Sequence, residues 1–277
     1  MGSGIAINLL KGGFALSVYN RTSSKAEPLG RAGARVAQNP ADAVSGSSTV
    51  ISMLADDAAS REAWTGKNGA LMAVSPGTSL VECSTLSLEW LEELSALASE
   101  QGAELIDAPV TGSRVQAEGA QLVCLVGGSN AGLEKILPVL KAISKEVVHL
   151  GPAGSGAKMK LINNFLCGVQ VASLAEGIAW IEKSGLDREK AIGILKSGAP
   201  GSPLLSAVSR RMTDHNYTVN FLLRLMSKDL LYAQNEAHNV GLELKTAKIA
   251  HSIFEDARAK GYSDIDMAAV IEPFRNN

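Results

Sequence analysis

The first 150 residues alternate short apolar runs with helix-like segments, and this alternation constrains the fold more than any other feature. Between the runs lie segments with helical periodicity, such as residues 87–101 and 131–143. Strands that alternate with helices favour a mostly parallel, doubly wound sheet, which binds dinucleotides at the carboxyl ends of its strands. The candidate strands are residues 16–19, 50–54, 79–82, 105–108, 122–126 and 147–150.

After residue 150 the pattern becomes helical. Residues 157–183 predict one long helix that is apolar over most of its surface, with Lys183 in its last turn and Gly185 at its end. Such a helix must be covered by other helices or by a second subunit, so we expect a homodimer or homotetramer. The remaining helical segments are residues 187–197, 203–212, 222–240 and 245–260.

The sequence therefore predicts an α/β protein of two domains. Residues 1–151 form a Rossmann-like, doubly wound dinucleotide-binding domain, and residues 152–277 form an all-helical domain for substrate binding and dimerisation. A long interdomain helix begins the second domain.

Composition narrows the possible partners and the compartment. The net charge of −2 gives no electrostatic reason to expect nucleic acid. The three cysteines, Cys83, Cys124 and Cys167, are odd in number and scattered, which favours reduced thiols and a cytoplasmic location. The four histidines lack metal-ligand spacing, and no metal is expected. No continuous apolar run suggests a membrane span, and the N-terminus lacks the pattern of a secretory signal.

The segment GPAGSGAKMKLINN, from Gly151 to Asn164, is the main candidate for catalysis. If a helix begins near its last glycine, Lys160 and Asn164 lie one turn apart on the same face. A cationic proton donor beside an orienting amide suits carbonyl reduction, in which oxygen receives a proton as carbon receives a hydride. A lone helix lysine is usually a solvated surface residue, but the apolar run that follows argues against exposure here. A phosphate-binding P-loop is rejected, because Ala157 rather than lysine follows the last glycine.

Two further motifs join this segment to a known family. The residues DAPVTGS, from Asp107 to Ser113, and the triplet Lys228-Asp229-Leu230 occur with it in the order found in the β-hydroxyacid dehydrogenases. The chain resembles this family, which contains 3-hydroxyisobutyrate dehydrogenase and the glyoxylate, succinic-semialdehyde and tartronate-semialdehyde reductases, over essentially its whole length. The resemblance implies an NAD(P)-dependent oxidoreductase that interconverts a short β-hydroxyacid and its semialdehyde or ketoacid.

The resemblance also implies roles for individual residues. Lys160 would donate a proton during reduction and accept one during oxidation, and Asn164 would hold the substrate or the lysine. Phe221 would line the pocket, although core packing is an equal interpretation. Asp229 would orient Lys160 or the substrate, with an ion pair to a nearby lysine as the alternative. The expected partner is a small carboxylate-bearing aldehyde or hydroxyacid.

The substrate carboxylate is assigned by resemblance to the loop after residue 109. Thr111 stands where serine is usual, and with Gly112 and Ser113 it would offer hydroxyl and backbone N–H donors. Arg114 is either a ligand of a second carboxylate or a surface residue.

The cofactor is expected to be NADP rather than NAD. Asn20, Arg21 and Thr22 follow the first strand, where a dinucleotide enzyme reads the adenosine ribose. No acidic residue occurs between residues 19 and 26, and arginine accommodates a 2′-phosphate. The alternative is that Arg21 is a solvated turn residue. By resemblance, the further cofactor-contacting residues are Met1, Leu54, Ala55, Thr85 and Lys228.

The opening MGSGIAINLLKGG resembles the end of a dinucleotide fingerprint. The central strand and first glycines that precede it in the family are expected to be missing, either because about ten residues are lacking or because the start codon was misassigned.

Two other functions stay open. One is an imine-reductase-like NADPH enzyme of the same fold, although such enzymes generally lack lysine at the catalytic position. The other is a non-enzymatic NADP-binding interaction module. Lys160 argues against the first alternative. The presence of both Lys160 and Asn164 argues against the second, which the missing N-terminal strand keeps open.

Overall fold

The computed structural model describes residues 1–276 and separates the chain into two compact units. The first is Met1–Lys160 and the second begins at Leu161. This division falls inside the long helix, whereas the predicted domain boundary at residue 151 precedes it.

The first unit contains every named strand among the described residues. The strands are β1 (Ser17–Val18), β2 (Arg35–Val36), β3 (Thr49–Ser52), β4 (Ser79–Glu82), β5 (Glu104–Asp107), β6 (Val110–Thr111), β7 (Leu122–Gly127) and β8 (Ser144–Gly151). Its helices are α1 (Gly2–Lys11), α2 (Glu27–Arg31), α3 (Pro40–Val44), α4 (Asp57–Thr65), α5 (Leu88–Glu100), α6 (Arg114–Glu118) and α7 (Asn130–Ile143).

The long helix continues into the second unit, which is helical throughout. The helices are α8 (Ser155–Lys183), α9 (Arg188–Ser197), α10 (Pro203–Thr213), α11 (Leu223–Asn239), α12 (Lys245–Ala259) and α13 (Glu272–Arg275). Short 3-10 turns occur at Ser23–Lys25, Ala70–Ala73 and Met267–Ile271. The predicted α/β class, with a helical C-terminal part, is therefore confirmed.

Capping side chains lie at two predicted helix starts, residues 87 and 187, and two residues before a third, residue 131. Ser87 accepts a hydrogen bond from the backbone N–H of Trp90, Ser129 from that of Gly132, and Asp187 from that of Lys190. These bonds satisfy N–H groups that the first helical turn leaves unpaired. The two-residue strands β2 and β6 were not predicted, because two residues are too few to show an alternating pattern.

The strands form two sheets. β1 and β2 make a separate parallel pair. In the six-stranded sheet β3, β4 and β5 run parallel, β7 pairs antiparallel with β5 and β6, and β8 runs parallel to β7. The usual doubly wound order places strand 1 between strands 2 and 4. Here the β1–β2 pair is separate from the sheet that contains β3, and the loss of a first strand stays a prediction.

The six-stranded sheet is packed on both faces. Leu80 lies in an apolar cluster with Trp90, and its neighbour Val81 lies in another with Ile136. Because successive side chains of a strand point to opposite faces, β4 joins the two clusters.

The second unit is built around the later turns of α8. Val171, Ala175 and Ile178 are fully buried there among side chains that include Phe254 and Leu230. Packing against α11 is close at Gly168, where an added Cβ would lie 2.8 Å from Leu230 Cδ2.

We expected no segment apolar enough to span a membrane, and this expectation is wrong when helix length and amino-acid composition are the only criteria. The 29-residue helix α8 contains an 18-residue window that passes this test. The polar pair Asn163 and Asn164 interrupts the apolar run in the sequence, but the average hydropathy stays high. The core helix of a soluble protein passes the same test, and α8 carries core residues of the second unit.

Candidate active site

The carboxyl ends of β3, β4 and β5 lie side by side. The parallel register aligns Ser52 with Glu82 and Glu82 with Asp107. Beyond the strands, the backbone N–H of Leu54 donates to Ser84 Oγ at 2.7 Å. The structure thus brings together the segments that contain Leu54, Ala55 and Thr85, at the sheet edge where doubly wound proteins bind dinucleotides.

Glu82 supports this edge and was not predicted. It is fully buried and accepts hydrogen bonds from the Ser84 backbone N–H at 2.9 Å and from Trp64 Nε1 at 3.2 Å. Burial raises the pKa of the Glu82 carboxyl, and these hydrogen bonds oppose the shift. The carboxyl therefore holds the turn after β4 in place. An acidic residue at the end of an apolar strand was the available sequence signal.

Residues after β1 form an exposed turn suited to an anion. The Asn20 side chain accepts a hydrogen bond from the Thr22 backbone N–H at 3.0 Å, and Arg21 is exposed. Met1 precedes α1, whose first turn contains no acidic residue. An exposed guanidinium and uncompensated helix N–H groups fit the phosphates of a nicotinamide dinucleotide.

The predicted carboxylate-binding loop lies between β6 and α6. Thr111 pairs with Val123 in the sheet, and Gly112 has φ +118°, which favours glycine. The backbone N–H of Ser113 donates to Gln116 Oε1 at 2.9 Å, and its hydroxyl donates to the same oxygen. Both Ser113 donors assigned to a substrate thus bond to Gln116 here. The Ser-x-x-Gln spacing of a capping box was the signal missed.

The helix of this loop is tied to the helix of the cofactor segment. Asn8 on α1 donates from Nδ2 to the Ala117 carbonyl oxygen at 2.7 Å. An added Cβ on Gly4 would lie 2.8 Å from the Ala117 carbonyl carbon, so only glycine allows this approach. The two helices are therefore in direct contact.

The start of α8 is fixed by Asp107 at the end of β5. Its carboxylate accepts from the backbone N–H groups of Gly154 at 2.7 Å and Ala157 at 2.8 Å. Burial raises the pKa of Asp107, while the backbone hydrogen bonds oppose that shift. Gly156 leaves no space for a side chain, since a Cβ there would lie 2.1 Å from the Leu125 carbonyl oxygen. Close packing thus explains Gly156, whereas Gly151 and Gly154 have φ +134° and +87°, which favour glycine.

Both predicted catalytic residues are buried on α8. Lys160 is 9% exposed and Asn164 is 4% exposed. The helix is continuous through both positions, so residues four apart share a helix face. This placement agrees with the expectation that Lys160 is not a solvated surface lysine.

Within the second unit, Asn164, Asp229 and Lys228 come together. Asn164 Nδ2 donates to Asp229 Oδ2 at 2.5 Å, and Lys228 Nζ lies 2.9 Å from Asp229 Oδ1 as an ion pair without good hydrogen-bond direction. The ion pair considered for Asp229 is present. Lys228 Nζ also lies 4.7 Å from the ring centroid of Tyr232, a cation–π contact that the sequence did not predict.

Phe221 is partly buried and packs against the apolar core of the second unit. Its backbone N–H donates to Asp266 Oδ2 at 3.0 Å, and the same oxygen accepts from Arg211 at 2.6 Å. The fully buried Asp266 therefore fixes the segment before α11.

Residues 1–276 include no grouping of three or more His, Cys, Asp and Glu side chains arranged to hold a metal ion.

Comparison with known proteins identifies both halves of the chain. Residues 1–151 match the family model described as the NAD binding domain of 6-phosphogluconate dehydrogenase. Residues 154–274 match the model described as NAD-binding of NADP-dependent 3-hydroxyisobutyrate dehydrogenase. These matches confirm the predicted nicotinamide dinucleotide cofactor.

Individual relatives agree with the family models. Glyoxylate/succinic semialdehyde reductase 2, chloroplastic, from Arabidopsis thaliana is 35% identical, covering 99% of this chain and 77% of the relative. Glyoxylate/succinic semialdehyde reductase 1 of the same organism is 33% identical, covering 98% and 94%. The fold is similar to the crystal structure of 3-hydroxyisobutyrate dehydrogenase from Salmonella typhimurium, with a TM-score of 0.90 and 24% identity, covering 98% of this chain and 95% of that one. The chain belongs to the β-hydroxyacid dehydrogenase family and is an NAD(P)-dependent oxidoreductase.

Proposed function

We propose that this chain reduces a short aldehyde or ketone bearing a carboxylate to the hydroxyacid, and catalyses the reverse oxidation, with Lys160 as proton donor and acceptor. The observation that carries the proposal is a buried lysine one helical turn from a buried asparagine. The backbone N–H groups at the start of this helix donate to the Asp107 carboxylate, and Asp107 lies just before the predicted carboxylate-binding loop in the chain.

The nicotinamide cofactor, when bound, supplies or accepts the hydride. Lys160 Nζ donates a proton to the substrate carbonyl oxygen as that oxygen gains negative charge, and takes the proton back during oxidation. The Asn164 amide orients the reacting oxygen. Thr111, Gly112 and Ser113 bind the substrate carboxylate, and Ser113 exchanges its bonds to Gln116 for bonds to the substrate.

The substrate class rests on the donors of the loop and on the relatives. Two Arabidopsis relatives are named for glyoxylate and succinic semialdehyde, both of which join a carbonyl to a carboxylate. N–H and hydroxyl donors at residues 111–113 suit the carboxylate, and a cationic acid at Lys160 suits the carbonyl oxygen.

NADP is the proposed cofactor in preference to NAD. The support is the exposed Arg21 in a turn that lacks acidic residues, next to the end of β1. A guanidinium binds a 2′-phosphate, whereas NAD enzymes place an acidic residue near the ribose.

The proposed assembly is a homodimer or homotetramer. Four large apolar side chains of α8 are exposed in the single chain: Met159 at 37%, Ile162 at 51%, Leu166 at 58% and Trp180 at 77%. Their burial against a second copy would remove apolar surface from water. A cytoplasmic location is proposed too, because no disulfide joins Cys83, Cys124 and Cys167 in the part of the chain that the structure describes.

The test follows NADPH absorbance with glyoxylate, succinic semialdehyde, tartronate semialdehyde and butanal as substrates. We expect kcat/KM for butanal to be at least about tenfold below that for succinic semialdehyde, because each charge-assisted hydrogen bond contributes about 1.5–3 kcal/mol. The assay uses this chain and a version with an added N-terminal strand and glycine turn, since the sheet is divided between β1 and β3. Equal rates for butanal and succinic semialdehyde would disprove carboxylate recognition.

A further inference from the structure

The side-chain amide of Asn164 is held at both ends. Its Nδ2 donates to Asp229 Oδ2 at 2.5 Å, and its Oδ1 accepts from Asn163 Nδ2 at 2.9 Å. Asn164 and Asp229 are 4% and 1% exposed, so water does not compete freely for these bonds. Adjacent asparagines on a helix point in different directions, and their direct bond is therefore a specific arrangement.

The hydrogen-bonding groups of Asp229 and Asn163 determine the orientation of the Asn164 side-chain amide. A carboxylate only accepts hydrogen bonds, so Asp229 requires the NH₂ end of Asn164. The Asn163 NH₂ group donates, so it requires the carbonyl end. The two requirements agree, and each alone favours the same orientation of the amide.

Lys228 sets the direction of the carboxylate. Its ammonium lies 2.9 Å from Asp229 Oδ1, the oxygen that Asn164 does not use. Lys228 in turn is 4.7 Å from the Tyr232 ring centroid. One oxygen of Asp229 thus faces a cation, and the other faces the Asn164 amide.

We propose that Asn163 and Asp229 are positioning residues that fix the orientation of the Asn164 amide for the substrate, so that Asp229 acts through Asn164 rather than on the substrate. The proposal rests on the proposed function, in which Asn164 contacts the reacting oxygen. With both bonds made, Asn164 keeps one N–H and one oxygen lone pair. The N–H suits a carbonyl oxygen and the lone pair suits a hydroxyl, so one fixed amide serves the aldehyde and the alcohol forms.

Three variants separate positioning from packing. Asn163→Ala removes the bond at the carbonyl end but leaves Asp229 to orient the amide. Asn163→Asp keeps the side-chain shape but places an acceptor against the carbonyl of Asn164. Asp229→Asn leaves a single acceptor oxygen, for which the Lys228 ammonium and the Asn164 amide compete, and places an NH₂ group against the other donor. The exposed Asp256→Asn is the control for loss of a carboxylate in the same unit.

We expect kcat/KM to fall at least about tenfold for Asn163→Asp and Asp229→Asn, and less than about threefold for Asn163→Ala and Asp256→Asn. NADPH affinity should be unchanged in both Asn163 variants, which leave the Lys228–Asp229 pair intact. A packing role predicts the opposite order, because alanine leaves a cavity whereas aspartate matches asparagine in shape. A loss for Asn163→Ala equal to or greater than that for Asn163→Asp would overturn the proposal.

A second measurement is independent of turnover. Side-chain amide NMR signals of ¹⁵N-labelled protein identify Asn164 by their loss in Asn164→Ala. We expect slow solvent exchange of these protons in the parent and in Asn163→Ala, and shifted, faster-exchanging signals in Asn163→Asp. Identical signals in all of these proteins would overturn the positioning role. If the signals behave as expected but the parent turns over no carboxylate-bearing carbonyl, the proposed function fails and the positioning arrangement stands.

Discussion

Asp107 accepts a hydrogen bond from the backbone N–H of Ala157 at 2.8 Å, which joins the end of β5 to the start of α8. The same carboxylate accepts from Gly154, so one side chain satisfies two N–H groups that a helix start leaves unpaired. The loop predicted to bind the substrate carboxylate and the helix that contains Lys160 are therefore attached to the same residue.

Replacement of this carboxylate tests the attachment. Asp107→Ala leaves two N–H groups without their acceptor, and we expect a loss of about 1–3 kcal/mol in the free energy of unfolding, measured by urea denaturation. Asp107→Asn retains one acceptor oxygen and should lose less. An alanine variant as stable as the parent would contradict this structural role.

The second prediction compares two glycines of α8. Gly156→Ala would place a Cβ 2.1 Å from the Leu125 carbonyl oxygen, so we expect destabilisation of about 1–3 kcal/mol or more. No heavy atom lies within 4 Å of the position that a Cβ on Gly177 would occupy, and Gly177→Ala should be neutral or stabilising by up to about 1 kcal/mol. Similar melting temperatures for the two variants would show that the approach at Gly156 is not close.

The third prediction concerns the proton donor. Lys160→Ala should lower kcat by about 10²–10⁴-fold and largely spare cofactor affinity, because the lost group acts on the reacting oxygen. Single-turnover kinetics with NADPH, together with a direct NADPH titration, would measure both effects. An unchanged kcat would remove Lys160 from the mechanism.

The fourth prediction concerns cofactor preference. Arg21→Asp replaces an exposed cation with an anion, and we expect NADPH binding to weaken by about 1–3 kcal/mol with a smaller effect on NADH. Calorimetry on the parent and the variant measures both affinities. Tighter binding of NADH than of NADPH by the parent would show that the assignment is wrong.

The fifth prediction is a pH dependence of stability in the second unit. Hydrogen bonds from Arg275, at 2.6 and 2.8 Å, hold the pKa of Glu182 below its usual value. A carboxyl with a lowered folded-state pKa contributes stability above its unfolded pKa and loses that contribution as pH falls through the folded pKa. Glu182→Gln should therefore be less stable than the parent near neutral pH, by about 1 kcal/mol for a partly exposed pair.

The difference between the parent and Glu182→Gln should shrink as pH falls below about 4.3, the ordinary pKa of glutamate, because the unfolded parent then binds a proton before the folded parent does. Urea denaturation at about pH 7 and about pH 3 measures it. The exposed Glu243→Gln is the control and should follow the parent at both values. A difference that persists unchanged at low pH would mean that packing, rather than charge, accounts for the effect.

The local pattern of apolar and capping residues was sufficient to predict most of the helices and strands. The predicted strand at residues 79–82 coincides with β4, and the helix predicted from residue 87 to residue 101 is α5 with Ser87 as its cap. Apolar periodicity and capping residues are properties of neighbouring positions in the chain, so they can be recognised without the fold. The motif around Lys160 was recognisable for the same reason.

Contacts between distant positions were not predictable in this way. Asp107 lies 50 residues from Ala157, and Asn164 lies 65 residues from Asp229. The sequence alone determined the order of the elements, the glycines before α8 and the family to which its motifs point. Only the tertiary structure decided that the Asp107 carboxylate accepts hydrogen bonds from backbone N–H groups at the start of α8, and that Asp229 bonds to Asn164. Hydrogen bonds depend on distance and direction between atoms, and for residues far apart in the chain folding alone sets both.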